Sequence, residues 1–324
     1  MIRRSVIAGC GSFLPGPLVP NAALESRVET SDAWIRERTG IQGRHLVADG
    51  ETTADLAIQA ARAALVRAGV EARDVQGVVL ATTTPAETMP ATATRVQGAL
   101  GITQGFAFDV QAACSGFLYA LTMADNAIRL GQAETILVIG AESFSRLLDW
   151  TDRTTCVLFG DGAGAVVLKA APGTGSIQDR GILDTRLHAD GRLYDILKTD
   201  GGAGSTATTG KVRMRGREVF RHAVEKLTEV VEETLTANGL TPQDLDWFVP
   251  HQANQRIIEA TAKKLGLGPE RVVLTVAEHA NTSGASIPLA LAAAEADGRL
   301  QPGQLVLLDA LGAGLTWASA LVRW

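Results

Sequence analysis

The chain is predicted to be an α/β protein made of two similar lobes, and three observations carry that prediction. Strand-like apolar runs alternate with helical stretches along the 324 residues. The order of elements in the first half returns in the second after about 165–170 residues. Finally, 46% hydrophobic and only 20% charged residues allow a large core and leave little room for disorder.

The strands come first. Val78-Val79-Leu80-Ala81, Thr135-Ile136-Leu137-Val138-Ile139 and Leu305-Val306-Leu307-Leu308 are short apolar runs of the kind that fill buried sheets. Helical spacing is clearest at Phe220, Val224, Leu227, Val231 and Leu235, which fall every three or four residues along one face. The repeat then orders these pieces. Ala68-Gly69-Val70, Asp74-Val75 and a strand ending at Ala81 are echoed by Asn238-Gly239-Leu240, Asp244-Leu245 and a strand ending at Pro250. Leu100-Gly101-Ile102 is echoed by Leu265-Gly266-Leu267. So long a period implies two duplicated lobes rather than a solenoid, whose repeats run to roughly 20–50 residues. The boundary is placed in Ala170–Gly175, giving halves 1–170 and 171–324, and Gly201–Gly210 is a second stretch with linker-like composition.

Charge and cysteine usage narrow the function. A net charge of −5 argues against general nucleic-acid binding. Cys10, Cys114 and Cys156 are too few and too scattered for a disulfide framework. Gly9, Gly11 and Pro15 interrupt the apolar run behind Arg3-Arg4 too early for a signal peptide. No apolar stretch approaches the ~20 residues needed to span a bilayer, so the expected location is the cytoplasm.

Each lobe then offers reactive groups at the ends of its elements. An apolar strand leads through Asp109–Ala113 to Cys114, which opens a helix over Ser115–Leu130. The echoing segment passes His279-Ala280 to Asn281, ahead of a helix over Ser283–Ala296, and His251 follows the strand that ends at Pro250. A cysteine at a helix start is expected to have a stabilised thiolate, suited to attack a thioester and to leave afterwards. A histidine and an asparagine can both donate to one developing oxyanion. Singly, these residues read as a small core side chain, a turn histidine and an N-cap. Their placement in a duplicated chain makes them a candidate constellation.

Local sequence supports this. Gln111-Ala112-Ala113-Cys114-Ser115-Gly116-Phe117, Pro250-His251-Gln252-Ala253-Asn254 and Asn281-Thr282-Ser283-Gly284-Ala285-Ser286-Ile287-Pro288 resemble the nucleophile, histidine and asparagine segments of the β-ketoacyl-acyl-carrier-protein synthase III family. Thr30–Ile35 with Arg38–Ile41, Phe159–Ala165 and Gly314–Trp317 match further segments, so the resemblance spans the chain.

The resemblance implies the thiolase fold, a pseudo-duplicated five-layered α/β/α/β/α architecture, in a homodimer. It implies that Cys114 takes an acyl group from acyl-CoA, and that His251 and Asn281 hold the thioester oxygen of malonyl-acyl-carrier protein as it decarboxylates and attacks. The product would be a β-ketoacyl-carrier protein that starts fatty-acid synthesis, with no cofactor beyond these substrates. The backbone N–H of Ala313 would join that of Cys114 in an oxyanion hole. Trp34, Arg38 and Arg153 would meet CoA, Asn254 would support the active-site hydrogen bonds, and Met89 would shape the acyl pocket. Arg221, Gln252, Arg256, Lys263 and Lys264 would dock the acidic carrier protein, an acyl carrier protein in the family.

The sequence departs from the family pattern at Ala280, where glycine is common, and at Leu311, where an aromatic is common. Relatives that form quinolones or esters are the nearest alternative. A papain-like protease is disfavoured by the duplication and the missing C-G-x-C-W pattern. Dinucleotide binding at Gly9-Cys10-Gly11 is disfavoured by Pro15, where a helix should open.

Overall fold

The structure, a computed structural model, describes residues 2–324. Two sheets form its frame. The first contains β1 (Ile2–Phe13), β2 (Gly77–Ala81), β3 (Phe106–Val110), β4 (Thr135–Glu142) and β5 (Gly162–Gly173), in the spatial order β1-β5-β4-β2-β3. The second contains β6 (Gly181–Ala189), β7 (Trp247–Pro250), β8 (Leu305–Gly312) and β9 (Thr316–Arg323), in the order β7-β8-β9-β6.

The two sheets are copies in topology. In the first, β2 pairs parallel with β4, β4 antiparallel with β5, and β5 antiparallel with β1. In the second, β7 pairs parallel with β8, β8 antiparallel with β9, and β9 antiparallel with β6. The place of β3 is taken in the second sheet by a single parallel bridge, Phe248 to Val272.

Helices make the remaining layers. α1 (Asp32–Thr39) lies outside this frame, whereas α2 (Thr53–Ala68) covers the outer face of the first sheet. Its start is fixed by a capping box between Thr52 and Asp55 and its end by left-handed Gly69. α3 (Gly116–Arg129) and α6 (Ser286–Ala296) lie between the sheets, sharing one core with inward residues of both, such as Val79, Val138, Val306 and Leu308. α4 (Gly216–Ala237) and α5 (Gln255–Lys264) flank the second sheet, where Val231, Leu235, Ile258 and Ala262 meet Leu307 and Leu321. The layering is therefore α/β/α/β/α.

Small residues make this layering possible. A Cβ on Gly11 would lie 2.2 Å from the Ala64 nitrogen, and one on Gly9 2.6 Å from the Ala68 nitrogen, so both glycines let α2 lie directly on β1. A Cβ on Gly164 would lie 2.5 Å from the Leu289 nitrogen, which puts α6 equally close to β5. These three glycines thus serve helix–sheet packing.

The predicted strands lie within β2, β4 and β8, and the predicted amphipathic helix is α4. One detail differs. β5 runs on through Ala170–Gly173 because those residues pair with Ile2–Ser5, so the crossing between halves falls at 174–180. Among the described residues, no helix is long and apolar enough to cross a membrane.

Candidate active site

A cavity of about 910 Å³ lies where the two halves meet, and Cys114, His251, Asn281 and Ala313 all line it. The chain thus gathers four groups from four separate segments, two of them just past the ends of strands β7 and β8.

Cys114 sits in a short 3-10 turn, Ala113–Ser115, immediately before α3. Ala113 has φ +47, a left-handed conformation that costs a non-glycine residue about 1 kcal/mol or more. The turn is held from the side by Gly312, where a Cβ would lie 2.6 Å from the Ala112 carbonyl oxygen and 2.8 Å from the Cys114 nitrogen. Ala313 follows directly and lines the same cavity as Cys114.

The expected stabilised thiolate is not what this environment favours. Burial pushes the Cys114 thiol up to about 12; the Ser283 hydroxyl, 3.5 Å from Sγ, offsets part of this, while the charge of Glu142 adds to it. Desolvation is the largest influence on this thiol. Cys114 therefore rests as a thiol, and its attack must be coupled to loss of the proton.

His251 is buried, which lowers its pKa to about 3 and keeps the ring neutral at physiological pH. Its Nδ1 lies 2.6 Å from Ser286 Oγ, which also accepts the Gln252 N–H at 3.3 Å. The Ser286 proton has no other acceptor among the described residues, so this network assigns it to Nδ1 and leaves the ring hydrogen on Nε2. Asn281 is oriented by the same reasoning. Its Oδ1 accepts the Ser283 N–H at 2.8 Å, which turns its NH2 group to the cavity. Two neutral donors, one per side chain, thus line the same cavity as Cys114.

The remaining predicted residues divide. Asn254 lines the cavity, caps α5 through its Oδ1, and donates to the Arg38 carbonyl at 3.2 Å. Trp34 is stacked by two guanidinium groups, with Arg38 Cζ 4.6 Å and Arg153 Cζ 4.9 Å from its ring centroid. A flat ring inserted between Trp34 and Arg153 needs about 7 Å, twice a contact distance of roughly 3.5 Å. Arg153, tied to the Glu29 carbonyl at 2.9 Å, must swing away to admit one.

Arg221, Arg256, Lys263 and Lys264 are exposed, and none forms an ion pair among the described residues. α4 and α5 both contribute cavity-lining residues, Phe220 and Ile257 among them, so this basic surface lies on the helices that flank the cavity. Gln252 does not belong to it. That residue is fully buried, donating to the carbonyls of Pro250 and Val273 and accepting from the amides of Thr275 and Val276. A side chain so enclosed braces the histidine turn and cannot meet a partner.

Met89 is 84% exposed and is not among the residues lining the cavity of the single chain, whereas its neighbours Glu87 and Thr88 are. Two lining or supporting acids escaped sequence reasoning. Asp309 lines the cavity fully buried, with neither carboxylate oxygen hydrogen-bonded, and burial raises its pKa. Glu142 sits behind Cys114, enclosed by Thr82, Thr83 and Thr84. An apolar strand ending in an acid, Ile139-Gly140-Ala141-Glu142, was the signal available.

Comparison with known proteins now adds to the geometry. Residues 108–191 match the family described as 3-oxoacyl-acyl-carrier-protein synthase III, and residues 235–324 match its C-terminal part. A β-ketoacyl-acyl-carrier-protein synthase III of Rhodospirillum rubrum is 67% identical over 321 residues, 99% of each chain. The chain belongs to the 3-oxoacyl-acyl-carrier-protein synthase III family.

Solved structures agree on the fold of this synthase III family. The enzyme of that name from Aquifex aeolicus superimposes with a TM-score of 0.93 at 44% identity, covering 99% of this chain and 100% of that one. The priming β-ketosynthase of the R1128 polyketide pathway also reaches a TM-score of 0.93, at 33% identity, covering 99% and 96%. The fold shared with the synthase III enzymes is the thiolase fold read from the sequence.

Proposed function

We propose that this protein is an acyltransferase that condenses an acyl-CoA primer with malonyl-acyl-carrier protein, releasing carbon dioxide and starting fatty-acid synthesis. In this reading Cys114 takes the acyl group. His251 Nε2–H and Asn281 Nδ2–H then hold the malonyl thioester oxygen while the carbanion forms and attacks the acyl-enzyme. Neutral donors suit this step, because an imidazolium would protonate the carbanion. The observation that carries the reading is the paired orientation of those two donors, each fixed by a hydrogen bond on its far side. The N–H groups of Cys114 and Ala313 serve the first half-reaction. The chemistry calls for no cofactor beyond the two substrates.

Further parts of the reading concern partners. Trp34, Arg38 and Arg153 receive the CoA adenine once Arg153 has moved. Arg221, Arg256, Lys263 and Lys264 attract the acidic acyl carrier protein, with Arg256 and Lys263 about 10 Å apart on one face of α5. Exposed Met89 and half-exposed Phe108 are supported as parts of a homodimer contact by their apolar surface, 84% and 38% accessible in the single chain. The halves 1–170 and 171–324 remain the proposed units of duplication, with β5 carrying its pairing to β1 three residues past that boundary.

A condensing enzyme of secondary metabolism is the rival. The shared TM-score of 0.93 does not separate the two, but 67% identity to a synthase III against 33% to a polyketide priming enzyme favours fatty-acid initiation. The test is incubation with malonyl-acyl-carrier protein and a panel of acyl-CoAs, with products read by mass spectrometry. A β-ketoacyl-carrier product is expected, and at least about 10⁴-fold less from Cys114→Ala. Acylation of Cys114 with transfer to some other acceptor would move the chain to the rival reading.

A further inference from the structure

The Cys114 thiol has a proton to lose and the obvious acceptor cannot take it. His251 is neutral, with Nδ1 already accepting from Ser286 and Nε2 already carrying a hydrogen. The partner that Sγ does have is Ser283 Oγ, 3.5 Å away on the turn that precedes α6.

Behind Ser283 lies Glu142, at the end of β4 and fully buried. A Cβ on neighbouring Gly284 would sit 3.5 Å from Glu142 Oε1 and 3.4 Å from the Ala113 carbonyl, so the serine turn is wedged between the nucleophile's turn and this acid. Every hydrogen bond that Glu142 makes is one it accepts: from Thr83 N–H at 3.1 Å, and from the hydroxyls of Thr83 at 2.7 Å, Thr84 at 2.6 Å and Thr82 at 3.4 Å. The nearby Ser283 hydroxyl also favours its charged form, although the resting hydrogen bonds of Glu142 are those to the threonines and that of Ser283 is to Cys114. Burial is the larger influence and raises its pKa, readying it to hold a proton, while the Thr83 N–H and the threonine hydroxyls favour the carboxylate. The titratable group facing it is Cys114 itself.

We propose that Ser283 and Glu142 store the Cys114 proton between the two half-reactions, a role that deepens the acyl-transfer reading and rests on it. As Sγ bonds to the acyl carbon, its proton passes to Ser283 Oγ, and the Ser283 hydroxyl turns to pass its own proton to Glu142. The carbon–sulfur bond to CoA breaks, its electron pair stays on the CoA sulfur, and that thiolate takes a proton from solvent. In the second half-reaction a carbon–carbon bond to carbon dioxide breaks and a new one forms. The bond from Sγ to the acyl carbon then breaks, leaving Cys114 as thiolate. Glu142 returns its proton through Ser283, and the thiol is restored. Each turnover thus consumes one solvent proton, at CoA release. Ser283 and Glu142 act here as positioning residues, since neither touches substrate.

Proton counting tests this directly. Enzyme and acetyl-CoA, without carrier protein, are mixed rapidly in weak buffer at pH 7.5 with an indicator dye, and Cys114 acylation is followed by mass spectrometry. The relay predicts uptake of about one proton per Cys114 acylated, because CoA leaves as a thiol while the cysteine proton stays in the protein. Direct transfer from Cys114 to CoA predicts none. Glu142→Gln and Ser283→Ala are each expected to abolish uptake and to slow acylation by about 10²-fold, the usual worth of a positioned acid–base group. Ser283→Ala keeps the test available if Glu142→Gln folds poorly. Acylation of the wild type without uptake, or unchanged uptake in both variants, would overturn the relay. Absence of any acylation would overturn the acyl-transfer reading, and the relay with it.

Discussion

The turn that delivers Cys114 and the turn that delivers Ser283 are the same piece of structure made twice. Each begins with a left-handed residue that is not glycine, Ala113 at φ +47 and Ser283 at φ +49. Each continues as a single 3-10 turn, Ala113–Ser115 or Ser283–Ala285, and each then opens a helix between the sheets. What differs is the side chain placed at each step. The nucleophile's position in the first turn is Gly284 in the second, and the left-handed alanine of the first is a serine whose hydroxyl reaches Sγ. Duplication supplied two equivalent backbones facing one cavity. Divergence made one of them the reactive group and the other its surroundings, with Asn281 on the approach.

The division of labour is broken most sharply by removing the donors. His251→Ala and Asn281→Ala should each lower condensation by about 10²–10³-fold, the usual cost of one oxyanion-hole donor. Both should still become acylated on Cys114, since the first half-reaction uses backbone N–H groups. Equal loss of both half-reactions, measured separately by acyl-enzyme mass and by product formation, would contradict the assignment.

A smaller effect distinguishes the glycines around the two turns. Gly312→Ala puts a methyl 2.6 Å from the Ala112 carbonyl and 2.8 Å from the Cys114 nitrogen, so the nucleophile's turn must shift and acylation should fall at least tenfold. Gly284→Ala meets nothing nearer than 3.4 Å and should leave both fold and acylation close to wild type. Comparable losses in the two variants would mean that the turns are not gripped as differently as their contacts indicate.

The smallest change sharpens the comparison at the approach to Asn281. Ala280 has φ +55 and ψ −161, a region that in practice belongs to glycine. This explains the departure noted in the sequence: glycine is the residue this backbone prefers. Ala280→Gly should raise stability by about 1 kcal/mol, relieved strain exceeding the lost chain entropy. A lower melting temperature in the variant would show that the buried Ala280 methyl matters more.

Much of this was legible in the sequence, because duplication repeats landmarks in order and because the three reactive segments are short and contiguous. The strands, the central helices and the Cys114, His251 and Asn281 positions all come from local pattern and spacing. What escaped reading depends on enclosure. Gln252 looks like a surface amide beside a helix, yet four backbone groups converge on it. The thiol of Cys114 sits at a helix start, as the sequence suggests, but the burial that raises its pKa, the added charge of Glu142 and the opposing Ser283 hydroxyl appear only once distant segments meet.

The central claim is that one half supplies the nucleophile and the other supplies the donors for condensation alone. Intact-protein mass spectrometry of wild type, Cys114→Ala, His251→Ala and Asn281→Ala after exposure to acetyl-CoA tests it in one experiment. The account predicts an acetyl group on the wild type and on both donor variants, mapped to Cys114, and none on Cys114→Ala. An acetyl group that persists in Cys114→Ala, or disappears from both donor variants, would contradict it.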